Sequence, residues 1–349
     1  LRRYLREDIA QLEPYIVQRY PDLIKMDANE NPFDLPPELK EMICLAFRKT
    51  PTNRYPDGDA LELRKAIAER SFVELDQIVM GNGSDELIGH IVTLFASSQA
   101  KVVYPVPTFS MYGIISRSLG VQTGEVPLDE SFDVDLDRMM EELDGRPNIL
   151  FLSYPNNPTG NCFDEKAILA LLERDDTLVV VDEAYFEFSG KSFLPMLDRF
   201  DNLVILRTFS KAYGLAGLRV GYMIADVSLA EQVNKVRLPY NLNVLSQMAA
   251  LKALAFEQEM AERIQLIISE RDRLSREMSG IEGVRPFPSE ANFILFRVSD
   301  ASRCFQGLID RGILIRNLDS GPLRGCLRVT VGTPRQNDLF LEALRDCVS

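Results

Sequence analysis

The stretch Leu203-Val204-Ile205-Leu206-Arg207-Thr208-Phe209-Ser210-Lys211-Ala212-Tyr213-Gly214-Leu215-Ala216-Gly217-Leu218-Arg219 divides into a strand and a turn. Leu203–Thr208 is a short, mostly apolar run of strand length. After it, Ser210 and Arg219 flank Lys211, and Gly214 and Gly217 permit tight turns. A lysine in such a turn is ordinarily solvated. One flanked by two phosphate-seeking groups at a strand end is placed to work beside an anion.

Outward from this stretch the same design repeats. Strands are predicted at Lys101–Tyr104, Asn148–Ser153, Thr177–Asp182 and Arg219–Ala225, with helical patterns at Asp135–Asp144 and Asp164–Arg174. Alternation of this kind implies βαβ units and an α/β fold with a mostly parallel central sheet. Leu178-Val179-Val180-Val181 is apolar on both faces, as a strand covered by helices on both sides must be.

From about Ser246 the pattern changes. One long helix is predicted from Ser246 to Met278, then Phe293–Val298, Ala301–Arg311, Leu314–Arg316, Leu327–Val331 and a last helix from Arg335. These form a smaller α/β lobe. Before the large lobe, Asn31-Pro32 and Pro36-Pro37 mark extended segments around a short helix, Pro37–Arg48. The expected division is an arm over 1–34, a large lobe over 50–250, and a small lobe of 35–49 with 251–349.

Bulk properties exclude several roles. A chain of 349 residues exceeds one compact core, and 46% hydrophobic with 26% charged residues is ordinary for a globular protein. The net charge of −13 opposes nucleic acid and anionic lipid surfaces as partners. Five scattered cysteines with no C-x-x-C pair argue against disulfides and a zinc knuckle, and fit a reducing cytoplasm. The first fifteen residues lack the apolar run of a secretory signal. The one histidine, His90, lies in an amphipathic helical pattern and reads as a packing residue, so no metal site is expected.

Three further clusters carry chemistry. Gly81-Asn82-Gly83-Ser84-Asp85-Glu86 joins the strand Ile78–Met80 to the helix Asp85–Phe95, where backbone N–H groups can meet a phosphate. Taken alone it is more often a plain N-capped turn. Tyr154-Pro155-Asn156-Asn157-Pro158-Thr159-Gly160 and Asp182-Glu183-Ala184-Tyr185 each follow a strand, where open α/β sheets collect ligands. Pyridoxal 5′-phosphate needs a lysine, an anion for its ring nitrogen, donors to its phenolic oxygen, an anion cradle and a flat apolar contact. Lys211, Asp182, Asn157 with Tyr185, Gly83–Asp85 with Ser210 and Arg219, and Phe109 supply these in turn.

With these motifs assembled, the sequence resembles the aspartate-aminotransferase superfamily of fold type I pyridoxal-phosphate enzymes. Within it, the sequence is similar to the histidinol-phosphate aminotransferase subfamily. The resemblance runs end to end and includes Met26–Pro32, Arg54-Tyr55-Pro56-Asp57, Glu290-Ala291-Asn292-Phe293 and Leu327–Thr333.

That resemblance implies residue roles. Lys211 carries the cofactor and moves the reaction's proton, and Asp182 keeps the ring nitrogen protonated. Asn157 and Tyr185 bind the phenolic oxygen, and Phe109 stacks on the ring where many relatives have Tyr. Gly83, Ser84, Asp85, Thr208, Ser210 and Arg219 surround the phosphate. Tyr55 reaches the neighbouring subunit's cofactor in a homodimer. Tyr15, Asn29, Tyr55, Arg316 and Arg328 face the substrate. Arg328 matches the carboxylate-binding arginine, and Arg316 with Tyr15 matches the group for a substrate phosphate, although Arg316 also suits a surface salt bridge. The implied substrates are L-histidinol phosphate and 2-oxoglutarate, giving glutamate. The alternatives are an aromatic amino-acid aminotransferase, a phosphothreonine decarboxylase, and a cofactor-sensing transcription regulator. The last lacks a DNA-binding segment here.

Overall fold

A computed structural model of the chain describes residues 4, 6–10, 20, 22–96, 99–143 and 145–348. Its strands are β1 (Ile24–Lys25), β2 (Ile78–Asn82), β3 (Lys101–Val106), β4 (Gln122–Pro127), β5 (Asn148–Ser153), β6 (Thr177–Asp182) and β7 (Leu203–Thr208). They continue with β8 (Val220–Ala225), β9 (Arg285–Pro286), β10 (Phe293–Arg297), β11 (Ile313–Leu314), β12 (Arg316–Asn317) and β13 (Cys326–Thr330).

The central sheet has seven strands in the order β2-β8-β7-β6-β5-β3-β4. Strands β3 to β7 pair in parallel, while β8 is antiparallel to both neighbours. Alternate side chains enter two cores. Leu150, Leu152, Val179, Val181 and Ile205 go to one face, and Ile149, Phe151, Val180 and Val204 to the other. That is why the expected apolar runs lack a polar face: both sides of the sheet are covered.

The second sheet, β12-β13-β10-β9, is antiparallel throughout. Its core joins Ile294, Phe296, Leu327 and Val329 to Leu274, Leu308 and Phe340 from helices Glu257–Ser279, Ala301–Asp310 and Pro334–Val348.

Four expectations need correction. The long helix is two helices, Val244–Ala255 and Glu257–Ser279, broken at Phe256 with φ −95 and ψ 43. Neither Gly nor Pro marks the break; Glu257 and Glu259 restart the chain as first-turn acids, favourable at a new N-terminus. The strand expected over Leu314–Arg316 is split: β11 pairs in parallel with β1, and β12 pairs with β13. Part of the arm over 1–34 is therefore built in, since β1 pairs with β11 and Met26 is buried in the second core. The helix Pro37–Arg48, expected with the small lobe, buries Leu39 and Ile43 in the core of the seven-stranded sheet.

Candidate active site

The parallel strands deliver their C-terminal ends side by side. Ser153 is opposite Asp182 across β5 and β6, and Asp182 is opposite Leu206 across β6 and β7. The chain then turns through Tyr154–Gly160, Glu183–Tyr185 and Phe209–Leu218. A crossover sheet places such turns on one rim, and this is where the polar groups gather.

Asp182 is 3% exposed. Its Oδ2 accepts from the Tyr112 hydroxyl at 2.8 Å and its Oδ1 from the Ala184 N–H at 3.2 Å. Burial pushes its carboxyl up to about 6, against the lowering effect of the Tyr112 bond. Lys211, half-buried, donates from Nζ to the Ala28 carbonyl at 3.1 Å. Burial foremost, then the Arg328 charge, pushes its ammonium down to about 8. Tyr185 is buried, and its hydroxyl accepts from Asn29 Nδ2 at 2.9 Å. Burial pushes this phenol up to about 12.

Asn29 is itself locked. Its N–H donates to Thr330 Oγ1 at 2.9 Å, and its carbonyl accepts from Asn292 Nδ2 at 3.1 Å. Arg328 donates through Nη1 to Asn157 Oδ1 and through Nη2 to the Asp27 carbonyl at 2.8 Å. The amide oxygen of Asn157 is thus committed, leaving its NH2 as a donor. Arg316 is directly opposite Arg328 across β12 and β13. Directly opposed residues share one face of a sheet, so two arginines leave the same face together.

A second group surrounds the turn into the helix Ser84–Phe95. Arg219, at φ 53 in the left-handed region, donates through Nη2 to Asp85 Oδ2 at 2.9 Å and through Nη1 to Ser210 Oγ at 3.4 Å. The Ser210 N–H donates to Thr208 Oγ1 at 3.1 Å. Strand β8 therefore begins at Val220, one residue later than expected. Glycine is required at two positions here. A Cβ on Gly83, at φ 81, would fall 2.4 Å from Arg219 Nη2, and one on Gly221 would fall 2.4 Å from the Ser84 nitrogen.

Phe109 is half-buried and meets Tyr112 edge to face, with centroids 5.5 Å apart. Tyr55 stands away from these residues: it is 81% exposed and stacked on Tyr240 at 4.5 Å. Tyr15 lies outside the described residues. Tyr112, Asn292 and Thr330 carry no site role on sequence alone, although Asn292 and Thr330 lie inside two of the quoted motifs. Tyr112 had a signal, since it follows Phe109 by three residues at the start of the helix Met111–Ser118. Below the site, Glu183 and Arg207 form a buried ion pair at 2.8 Å that was likewise unforeseen.

The chain matches the family model "Aminotransferase class I and II" over residues 21–344. It is 42% identical to the histidinol-phosphate aminotransferase of Caldanaerobacter subterraneus subsp. tengcongensis, with 100% of each chain covered. It is 41% identical to that of Pyrococcus furiosus over 97% of each. Among solved structures, it superposes with a TM-score of 0.90 on the histidinol-phosphate aminotransferase from Sinorhizobium meliloti in complex with pyridoxal-5′-phosphate. Identity there is 27%, covering 99% of this chain and 97% of that one.

Proposed function

The chain belongs to the class I and II aminotransferases, and from that membership we propose that it transfers the amino group of L-histidinol phosphate to 2-oxoglutarate. The products are imidazole-acetol phosphate and L-glutamate. The observation that carries the substrate assignment is the pairing of Arg316 with Arg328 on one sheet face. Two guanidinium groups there suit a donor with a phosphate in one half-reaction and a dicarboxylate in the other.

The cofactor is pyridoxal 5′-phosphate, and the residues fit it. A buried carboxylate, a lysine with a lowered pKa, and a glycine-lined turn with no room for a Cβ beside Arg219 form the needed donor set. When bound, the cofactor supplies an electron-accepting ring that stabilises negative charge on the substrate α-carbon.

The chain's own groups do the rest. With its ammonium held near 8, Lys211 has a neutral amine fraction close to neutral pH and can attack a carbonyl or carry a proton at Nζ. Asp182 is ionised above about 6 and offers a negative partner to a ring N–H. The Tyr185 hydroxyl, fixed by Asn29, and the Asn157 NH2, fixed through Arg328, are donors with little freedom to turn away. Arg219, Ser210 and the first N–H groups of the helix Ser84–Phe95 form the phosphate cradle.

The working unit in this proposal is a homodimer. Tyr55 is exposed on its own chain, a position from which it can reach a second copy. We infer two lobes, 50–250 and 251–349, and the helix Pro37–Arg48 packs with the larger. No helix among the described residues is long and apolar enough to cross a membrane. The five free thiols support our reading of a cytoplasmic location.

The test is glutamate formation from 2-oxoglutarate with purified enzyme. Histidinol phosphate should support it. Failure of histidinol phosphate beside a good rate with tyrosine or phenylalanine would replace this substrate.

A further inference from the structure

Tyr112 has no assigned role, yet it touches two residues of the site. Its ring is fully buried and lies flat on Phe151, with centroids 4.9 Å apart and an interplanar angle of 9°. Its edge meets Phe109 at 85°. Its hydroxyl donates to Asp182 Oδ2 at 2.8 Å. One side chain thus links the aromatic group expected against the cofactor ring to the carboxylate expected beside the ring nitrogen.

We propose that Tyr112 is a positioning residue for the cofactor ring, holding the Asp182 carboxylate in its ionised, correctly turned form and Phe109 at its stacking angle. The inference rests on the pyridoxal-phosphate reading and on no particular substrate.

The chemistry follows from burial. A phenol cut off from water must spend its hydrogen on an acceptor, and ionised Asp182 is the acceptor present. The bond favours the charged carboxylate over the neutral acid. It is needed because the surroundings push the other way. Asp182 is desolvated, the Asp85 and Glu183 carboxylates raise its pKa further, and the bonds from Tyr112 and the Ala184 N–H lower it. Ser153 and Tyr185 are the remaining polar neighbours of the Tyr112 hydroxyl. With Oδ1 and Oδ2 each held by one donor, neither oxygen can rotate away. Each keeps a second acceptor direction for the ring N–H.

The test is Tyr112→Phe in the full chain, which keeps both ring contacts and removes one oxygen. Two readouts are independent of turnover: the dissociation constant for pyridoxal 5′-phosphate, and the pH dependence of the bound cofactor's absorbance. Weakening by about tenfold, the worth of a charge-assisted bond, with an acid limb moved to higher pH, supports the proposal. Phe151→Leu is the structural control; it should lower thermal stability and leave the acid limb in place. Tyr112→Phe binding the cofactor like wild type with an unmoved acid limb overturns the proposal. Should Tyr112→Phe fail to fold, site-specific 3-fluorotyrosine at 112, a stronger donor, should move the acid limb to lower pH. No movement overturns it equally. Absence of cofactor binding in the wild-type chain would instead reject the underlying reading.

Discussion

Arg316 and Arg328 stand directly opposite each other across the antiparallel pair β12–β13. Like charges so placed repel, and Arg328 is held by its bonds to Asn157 and to the Asp27 carbonyl. In a chain of net charge −13, we propose that this arrangement serves as a local anion site built against the global field.

Arg316→Ala should therefore separate binding from folding. Charge-assisted bonds contribute roughly 1.5–3 kcal/mol each, so KM for histidinol phosphate should rise about tenfold or more. The thermal midpoint of the substrate-free protein should change little beside that effect. A large loss of stability with an unchanged KM would make Arg316 a structural residue.

Lys211 gives a pH signature in the cofactor-free chain. Its ammonium is held near 8 when folded, against 10.5 for the free group. Between those values the unfolded chain binds more protons than the folded one, so stability rises with pH across the window. Lys211→Met should be more stable than wild type at pH 7, with the difference fading toward pH 10.5. Denaturant midpoints measured from pH 7 to 10.5 check this, and a constant difference would contradict it. The same variant should have no measurable turnover.

The exposed position of Tyr55 predicts intersubunit rescue. A hybrid of Tyr55→Ala and Lys211→Ala chains has one site with neither defect and one with both. Mixing the two defective homodimers should restore part of the activity, up to half that of wild type per dimer. No recovery after verified subunit exchange would place Tyr55 in its own chain's site.

The Glu183–Arg207 pair predicts an asymmetric cost. Glu183 is wholly buried and also accepts from Ser192 Oγ and the Phe193 N–H. Arg207→Met leaves that carboxylate without its cation and should cost about 3–5 kcal/mol in denaturant unfolding. The double variant Glu183→Gln with Arg207→Met should recover part of it. Equal losses in the single and double variants would rule out the pairing argument.

Much of this was legible in the chain. β5, β6 and β7 are mostly apolar runs ending in Ser153, Asp182 and Thr208, so both the sheet and its polar rim could be read directly. What escaped depends on long-range pairing. Leu314–Arg316 reads as one strand because nothing local tells β11 to pair with β1 and β12 with β13. The break at Phe256 lies between two good helix patterns with no Gly or Pro to announce it. Tyr112 looks like any aromatic on a helix's buried face until Asp182 is placed beneath its hydroxyl. The facing of Arg316 and Arg328 is a matter of register, which composition does not carry.

The amino donor decides the substrate assignment most directly. Loaded enzyme, without 2-oxoglutarate, is titrated with amino donors while its absorbance reports conversion of the cofactor to its amino form. Histidinol phosphate should drive the conversion at a concentration about tenfold or more below that needed with histidinol, which lacks only the phosphate. Conversion by tyrosine or phenylalanine at equal or lower concentration than histidinol phosphate, or carbon dioxide release from phosphothreonine, would contradict it.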